Sequence, residues 1–121
     1  NFLALPFELT NKNNGQGRSW QTGARERKRL ERNLRLLRIV STPYEFPVFV
    51  HVTRILGPRQ SLWDSSSGLR GNYKELEDAL VACGWFHDDG PKYITETRFF
   101  QDSTRRKIGP AIEIKIYKSS D

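Results

Sequence analysis

Two segments of this chain place apolar residues at every second position, and they restrict the fold more than any other feature. Residues 46–55 alternate Val48, Val50 and Val52 with more polar side chains. Residues 111–117 do the same with three isoleucines. Period two is the spacing of a β-strand that buries one face, so both segments predict strands of a sheet with one covered side.

Two other segments carry helical spacing. Thr22 is a suitable N-cap for a helix running to about Ile39, with Leu30, Leu34 and Leu37 on its apolar side. A second helix is predicted from Leu69 to Cys83, and its apolar residues are Leu69, Tyr73, Leu76, Leu80 and Cys83. Gly84 then supplies the glycine that commonly ends a helix.

The remaining segments complete a small α/β domain. Residues 2–9 read as a strand whose Pro6 favours an edge position or a bulge, and residues 93–100 read as another strand. The order is therefore β-α-β-α-β-β, which predicts one domain over residues 1–121 with a small mixed sheet and two helices. The segment 101–110 is predicted to be a hairpin-like basic loop containing Arg105, Arg106 and Lys107.

The net charge of +6 is concentrated in one segment. Residues 18–38 contain eight basic side chains against the acids Glu26 and Glu31. Such a stripe is typical of a protein that binds a polyanion, although a solvated helix face has the same composition. The cations that we expect to contact phosphates are Arg18, Arg25, Lys28, Arg32 and Arg35, together with Arg105, Arg106 and Lys107.

Membrane and disulfide chemistry are not expected from this sequence. No apolar run approaches the roughly 18 residues that a spanning helix needs, and no secretory signal pattern is present. The single cysteine, Cys83, falls in phase with apolar helix positions and is interpreted as a core residue. We expect a cytoplasmic protein.

The chemistry candidates lie on and just after the second predicted helix. Lys74 and Asp78 are four residues apart and so share a helix face, and Asp88 and Asp89 follow the helix. A surface ion pair and a polar turn would give the same pattern. Carboxylates near a lysine are also what a metal-dependent nuclease uses, because hard cations take oxygen ligands and a lysine stabilises charge developing on a phosphodiester.

The segment KELEDALVACGWFHDD, from Lys74 through Asp89, resembles the RusA family of Holliday-junction resolvases. The family pattern is D-x-D-N, then a lysine, then D-A-L, then D-D about ten residues later. The family also begins with a strand, a polar loop and a basic helix and ends with two strands, so the resemblance extends over nearly the whole chain, although only Lys74 to Asp89 is specific.

The resemblance implies a homodimeric, magnesium-dependent endonuclease that binds four-way DNA junctions, from a phage or its bacterial host. By position, Lys74 matches the active-site lysine, Asp89 matches the last metal ligand, and Asp88 is its neighbour. Trp20 and Trp63, which lie in basic loops, could stack on bases at an opened junction, whereas Trp85 is interpreted as core.

The D-x-D-N acids of the family are missing here. In the preferred alignment they fall on Ser65 and Ser67, and without a gap they fall on Gly68 and Arg70. Asp64 is the nearest acid and could substitute in part. Because serine is a neutral and weak ligand, we expect Mg²⁺ to bind weakly or not at all and catalysis to be weakened or lost. The alternative function is a non-catalytic protein whose basic face docks an acidic protein; no small-molecule substrate is expected.

Overall fold

The structure is a computed structural model that describes residues 2–9, 20–63 and 73–119. Its elements follow the predicted order, and their bounds are β1 Phe2–Leu5, α1 Trp20–Leu36, β2 Val48–Ile55, α2 Tyr73–Ala82, β3 Ile94–Asp102 and β4 Ala111–Lys118. A mixed sheet with two helices is therefore confirmed. No helix among the described residues is both long enough and apolar enough to cross a membrane.

The four strands form one sheet in the order β1-β4-β2-β3. β4 pairs antiparallel with both β1 and β2, whereas β2 and β3 run parallel. β1 is an edge strand, and it ends at Leu5, before Pro6, so it is shorter than the strand predicted over residues 2–9. The segment between β3 and β4 is not a hairpin, which corrects the sequence prediction: the two strands are not neighbours, because β2 lies between them.

One face of the sheet carries the hydrophobic core. The valines of β2 and the isoleucines of β4 are buried there against Leu30 and Leu34 of α1 and the apolar side of α2. Cys83 and Trp85 are also buried, as predicted. The alternating pattern of β2 and β4 thus arises because both helices cover the same side of the sheet.

The ends of α1 differ from the sequence prediction. Thr22 lies inside the helix, which begins at Trp20, so it is not the N-cap. At the other end Arg38 has a φ of 59°, and the amide of Ile39 donates to the carbonyl of Leu34 at 2.8 Å. This left-handed residue ends the helix at Leu36, and Leu37 is consequently 49% exposed rather than part of the core.

The second face of the sheet is not covered by either helix. On it the ring of His51 in β2 makes edge contacts with Phe100 of β3 at 5.6 Å and with Tyr117 of β4 at 5.1 Å between centroids. Phe2, Phe100 and Tyr117 are about half exposed. We call this side of the sheet, with His51, Phe2, Phe100 and Tyr117 on it, the open face.

Candidate functional site

The second helix and the turn after it bring Lys74 and Asp89 together, although they are fifteen residues apart in sequence. Lys74 lies in the first turn of α2, and Asp78 lies one turn further along the same face. Gly84 has a φ of +89°, which ends the helix and redirects the chain. The following segment then returns past the N-terminal half of α2 before β3 begins, and this return places Asp89 beside Lys74.

Three carboxylates converge on the Lys74 ammonium, a group that we call the Lys74 cluster. Nζ of Lys74 donates to Oδ2 of Asp89, and it lies 3.1 Å from Oδ1 of Asp78 and 3.8 Å from Oε1 of Glu77. Burial lowers the pKa of Lys74, but the hydrogen bonds to Asp89 and Asp78 outweigh it and hold this pKa above the ordinary value. The lysine is therefore a fixed positive charge at any physiological pH.

The contact that raises the pKa of Lys74 lowers the pKa of Asp89. The hydrogen bond from Lys74 holds the pKa of Asp89 below its usual value. Asp88 has a different role, because its Oδ1 accepts a hydrogen bond from the backbone amide of Asp89 at 2.8 Å. Asp88 thus orients the turn that carries Asp89, and Asp89 supplies the charge that faces Lys74.

Glu77 is a member of this cluster that the sequence interpretation missed. Its side chain is only 12% exposed. Burial raises the pKa of Glu77 to about 6, against the attraction of Lys74, which lowers it. The phenol of Tyr73 beside it is also buried, and its pKa is raised first by that burial and then by the Glu77 charge. The spacing of three residues between Lys74 and Glu77 places both on one helix face, but it gives no information about the burial of Glu77.

Only part of the expected magnesium site lies among the described residues. No group of three or more His, Cys, Asp or Glu side chains able to hold a metal occurs among residues 2–9, 20–63 and 73–119. Asp89 and Asp78 already share one ammonium, which a divalent ion would have to displace or tolerate. Asp64, Ser65, Ser67, Gly68 and Arg70 lie outside the described residues.

The predicted cations of α1 lie on its solvent side. Arg25, Lys28, Arg32 and Arg35 are all exposed. A depression of about 470 Å³ is lined by Lys28, Glu31, Arg32, Arg35 and Leu36. Arg35 already has two partners within the protein, because it pairs with Glu31 at 3.1 Å and donates to the Ala82 carbonyl at 3.1 Å. Arg18 lies outside the described residues.

The cations of the β3–β4 loop have mainly intramolecular partners. Arg105 donates to Asp102 at 2.7 Å and makes two hydrogen bonds to Glu113 at 2.8 and 2.7 Å. Arg106 donates to the carbonyls of Gly57 and Gln60. Lys107 is exposed. Arg105 and Arg106 therefore fix the loop, and Lys107 is the member of the three best placed for an external phosphate.

A buried arginine was not anticipated from the sequence. Arg54 is 4% exposed and donates to the Ser61 carbonyl and to Oε1 of Gln101, while its guanidinium lies 4.0 Å from the ring centroid of Trp63. Trp63 in turn stacks on Phe99 with an interplanar angle of 8°. Trp63 is thus held in an internal stack rather than standing free in a loop. The side chain of Trp20 is not among those described.

A scan against models of known protein families matches none of them, and a search of curated proteins finds no significant similarity.

Proposed function

We propose that this protein is a RusA-type DNA-binding protein that recognises four-way junctions and related branched DNA, with weakened or lost nuclease activity, in the cytoplasm of a bacterial cell or as a phage-encoded protein. The observation that carries the proposal is the contact between Lys74 and Asp89. Both residues belong to the segment that resembles the family, and their side chains are in direct contact.

The exposed cations of α1 supply the surface for DNA. α1 packs against α2, and a Cβ placed at Gly23 would lie 3.2 Å from Glu75, so the N-terminal turns of the two helices are adjacent. A duplex arm lying along α1 would meet Arg25, Lys28 and Arg32 and would pass close to the helix that carries Lys74. Phosphate contacts of this kind hold the DNA in register without reading its sequence.

Weak catalysis follows from the charges available. Metal-dependent phosphodiester cleavage needs several carboxylates around the cation. Here the acids of the Lys74 cluster are neutralised in part by the lysine, and the two positions expected to add carboxylates are Ser65 and Ser67. Two missing negative charges should weaken metal binding so far that the protein still binds DNA but cuts it poorly or not at all.

A homodimer is part of the proposal, and the open face is the surface we assign to the second copy. Phe2, Phe100 and Tyr117 together expose aromatic area on the sheet face that neither α1 nor α2 covers, and exposed apolar patches of soluble proteins commonly mark interaction sites. Pairing these faces would leave α1 and the Lys74 cluster of each protomer exposed on the outside, where two arms of one junction can reach them.

The proposal is tested by incubating the protein with labelled four-way junction in EDTA, Ca²⁺, Mg²⁺ and Mn²⁺, scoring both mobility shift and cleavage. We expect a shift under all conditions and little or no cleavage. The Ser65→Asp, Ser67→Asp double variant should gain metal-dependent nicking, and adding Asp89→Asn should remove it. Efficient cleavage by the unaltered protein would refute the loss of catalysis.

Absence of any shift would refute DNA binding itself. A basic surface that binds an acidic protein instead predicts that outcome, so the same gel separates the two functions. Arg59→Gln is a control for the position of the charge: it removes an exposed cation outside α1 and should leave the mobility shift unchanged.

A further inference from the structure

A second concave site is formed in part by the segment that carries Asp88 and Asp89, and it has a different chemistry from the Lys74 cluster. It is a pocket of about 320 Å³, which we call the aromatic pocket, and it is lined by Tyr44, Glu45, Phe46, His87, Lys92 and Tyr93 together with one proline. Four of these six side chains are planar rings. The volume is at the small end of the range for ligand sites in proteins, so it suits one compact planar group rather than a large ligand.

The rings of the pocket form two pairs that come from different parts of the chain. Tyr44 and Phe46, which precede β2, have centroids 5.7 Å apart and are tilted by 54°. His87 and Tyr93, which flank the acidic turn, have centroids 5.3 Å apart and are tilted by 46°. Tyr44 also contacts the buried Phe86 at 6.4 Å, which anchors the first pair to the core. The four rings therefore line one pocket from two separate segments of the chain.

Two lysines place positive charge at this ring cluster. Nζ of Lys92 lies 5.6 Å from the Tyr93 ring centroid, and Nζ of Lys118 lies 5.1 Å from that of Phe46. The single acid in the lining, Glu45, can accept hydrogen bonds from exocyclic amino groups. Planar rings, flanking ammonium groups and one acceptor together match a nucleobase with its adjoining phosphates.

The position of the pocket ties it to the candidate site. His87 directly precedes Asp88, and Lys92 follows Asp89 by three residues, so the segment that returns Asp89 to Lys74 also forms one wall of the pocket.

We propose that the aromatic pocket binds one unpaired nucleobase of a DNA strand, holding it outside the duplex by stacking while Lys92 and Lys118 contact the adjoining phosphates. This inference rests on the proposed DNA-binding function and adds a preference for DNA with an unpaired base. Stacking on a ring is tolerant of base identity, so the preference should be for the unpaired state and not for one sequence.

The test uses a duplex with a single bulged 2-aminopurine, the same duplex with that base paired, and a fully paired four-way junction, all in EDTA. We expect the bulged duplex to bind roughly tenfold more tightly than the paired one, with quenching of 2-aminopurine fluorescence as it stacks. Phe46→Ala and His87→Ala, both at exposed positions, should abolish the quenching and most of the preference. Ile108→Ala, an exposed apolar residue elsewhere, should change neither.

The outcomes separate the two proposals. Binding of the junction without quenching or bulge preference would overturn the pocket inference and leave the proposed function standing. Failure to bind any DNA would overturn both. Competition by free deoxyadenosine monophosphate at the same concentration as the bulged duplex would show a mononucleotide site and would also overturn the inference, because a base in a strand should bind much more tightly.

Discussion

At the scale of single residues, the candidate chemistry depends on how charge is distributed around Lys74. Lys74, Asp78 and Asp89 were identified from sequence because their types and spacing form a motif. Glu77 was not, because its importance comes from burial, which is a property of the folded chain. Arg54 was missed although it is in phase with Val48, Val50 and Val52 on the buried side of β2, a signal that could have been used.

Glu77 should make stability depend on pH in a defined direction. Its folded-state pKa is raised from 4.5 to about 6, so its contribution to stability is fully present below pH 4.5 and is lost as the pH rises through 6. Relative to the native protein, Glu77→Gln should gain up to about 2 kcal/mol of unfolding free energy between pH 4 and pH 7. Urea denaturation at both pH values measures this difference.

Glu113 provides a control in which stability changes with pH in the opposite direction. Its pKa is lowered, first by the hydrogen bonds from Arg105. Its contribution is present at neutral pH and is lost as the pH falls, so Glu113→Gln should lose stability at pH 7 relative to pH 4. If the two variants shifted in the same direction, the assignment of Glu77 as a buried carboxyl of raised pKa would be wrong.

At the scale of the elements, local pattern predicted the type and order of all six helices and strands among the described residues, but not their ends or pairing. The isoleucines of β4 and the valines of β2 were correctly assigned to one buried face. The end of α1 was misplaced because Arg38, and not a glycine, takes the left-handed conformation. The β3–β4 connection was misread because strand neighbours are set by the whole sheet.

The end of α2 gives a direct test of this local geometry. At Gly84 an added Cβ would collide with the carbonyl of Ser41, and the φ of +89° is unfavourable for any other residue. Gly84→Ala should therefore lower the free energy of unfolding by at least about 2 kcal/mol. Gly90→Ala is the matched control, since a Cβ there meets nothing within 4 Å, and thermal melts of both should show a loss for Gly84 alone.

The cationic face of α1 should determine the salt dependence of DNA binding. Each phosphate contact contributes about 0.9 to the slope of log affinity against log salt concentration. Combining Arg25→Gln, Lys28→Gln and Arg32→Gln should reduce the slope for junction DNA by roughly 2 to 3. Arg59→Gln with Arg98→Gln is the control outside α1. An equal reduction per cation removed in both variants would mean that general charge, and not α1, attracts the DNA.

At the scale of the whole molecule, the fold separates three surfaces: the cationic side of α1, the Lys74 cluster with its aromatic pocket, and the open face. The cationic side of α1 was predicted from sequence because it lies on one helix, whereas the aromatic pocket and the open face were not, because each combines residues from distant segments. His51 lies in the segment that was predicted to be a strand, but its ring contacts with Phe100 and Tyr117 follow from the order of β3, β2 and β4.

The open face should control oligomeric state. Light scattering coupled to gel filtration should give twice the mass of one chain for the native protein. Phe100→Asp should give the mass of a monomer, because it places a charge within the apolar contact. Leu62→Asp changes an exposed apolar residue that is not on the sheet, and this variant should remain dimeric. A native monomer would contradict the assigned dimer.

The most direct measurement is the ratio of affinities for a fully paired four-way junction and for a linear duplex of the same arm sequence, taken in EDTA at one salt concentration. Electrostatic attraction alone would bind both DNAs about equally, whereas a junction-recognising protein should bind the junction at least roughly tenfold more tightly, which is about 1.4 kcal/mol. A ratio near one, or no binding to either DNA, would contradict the proposed function.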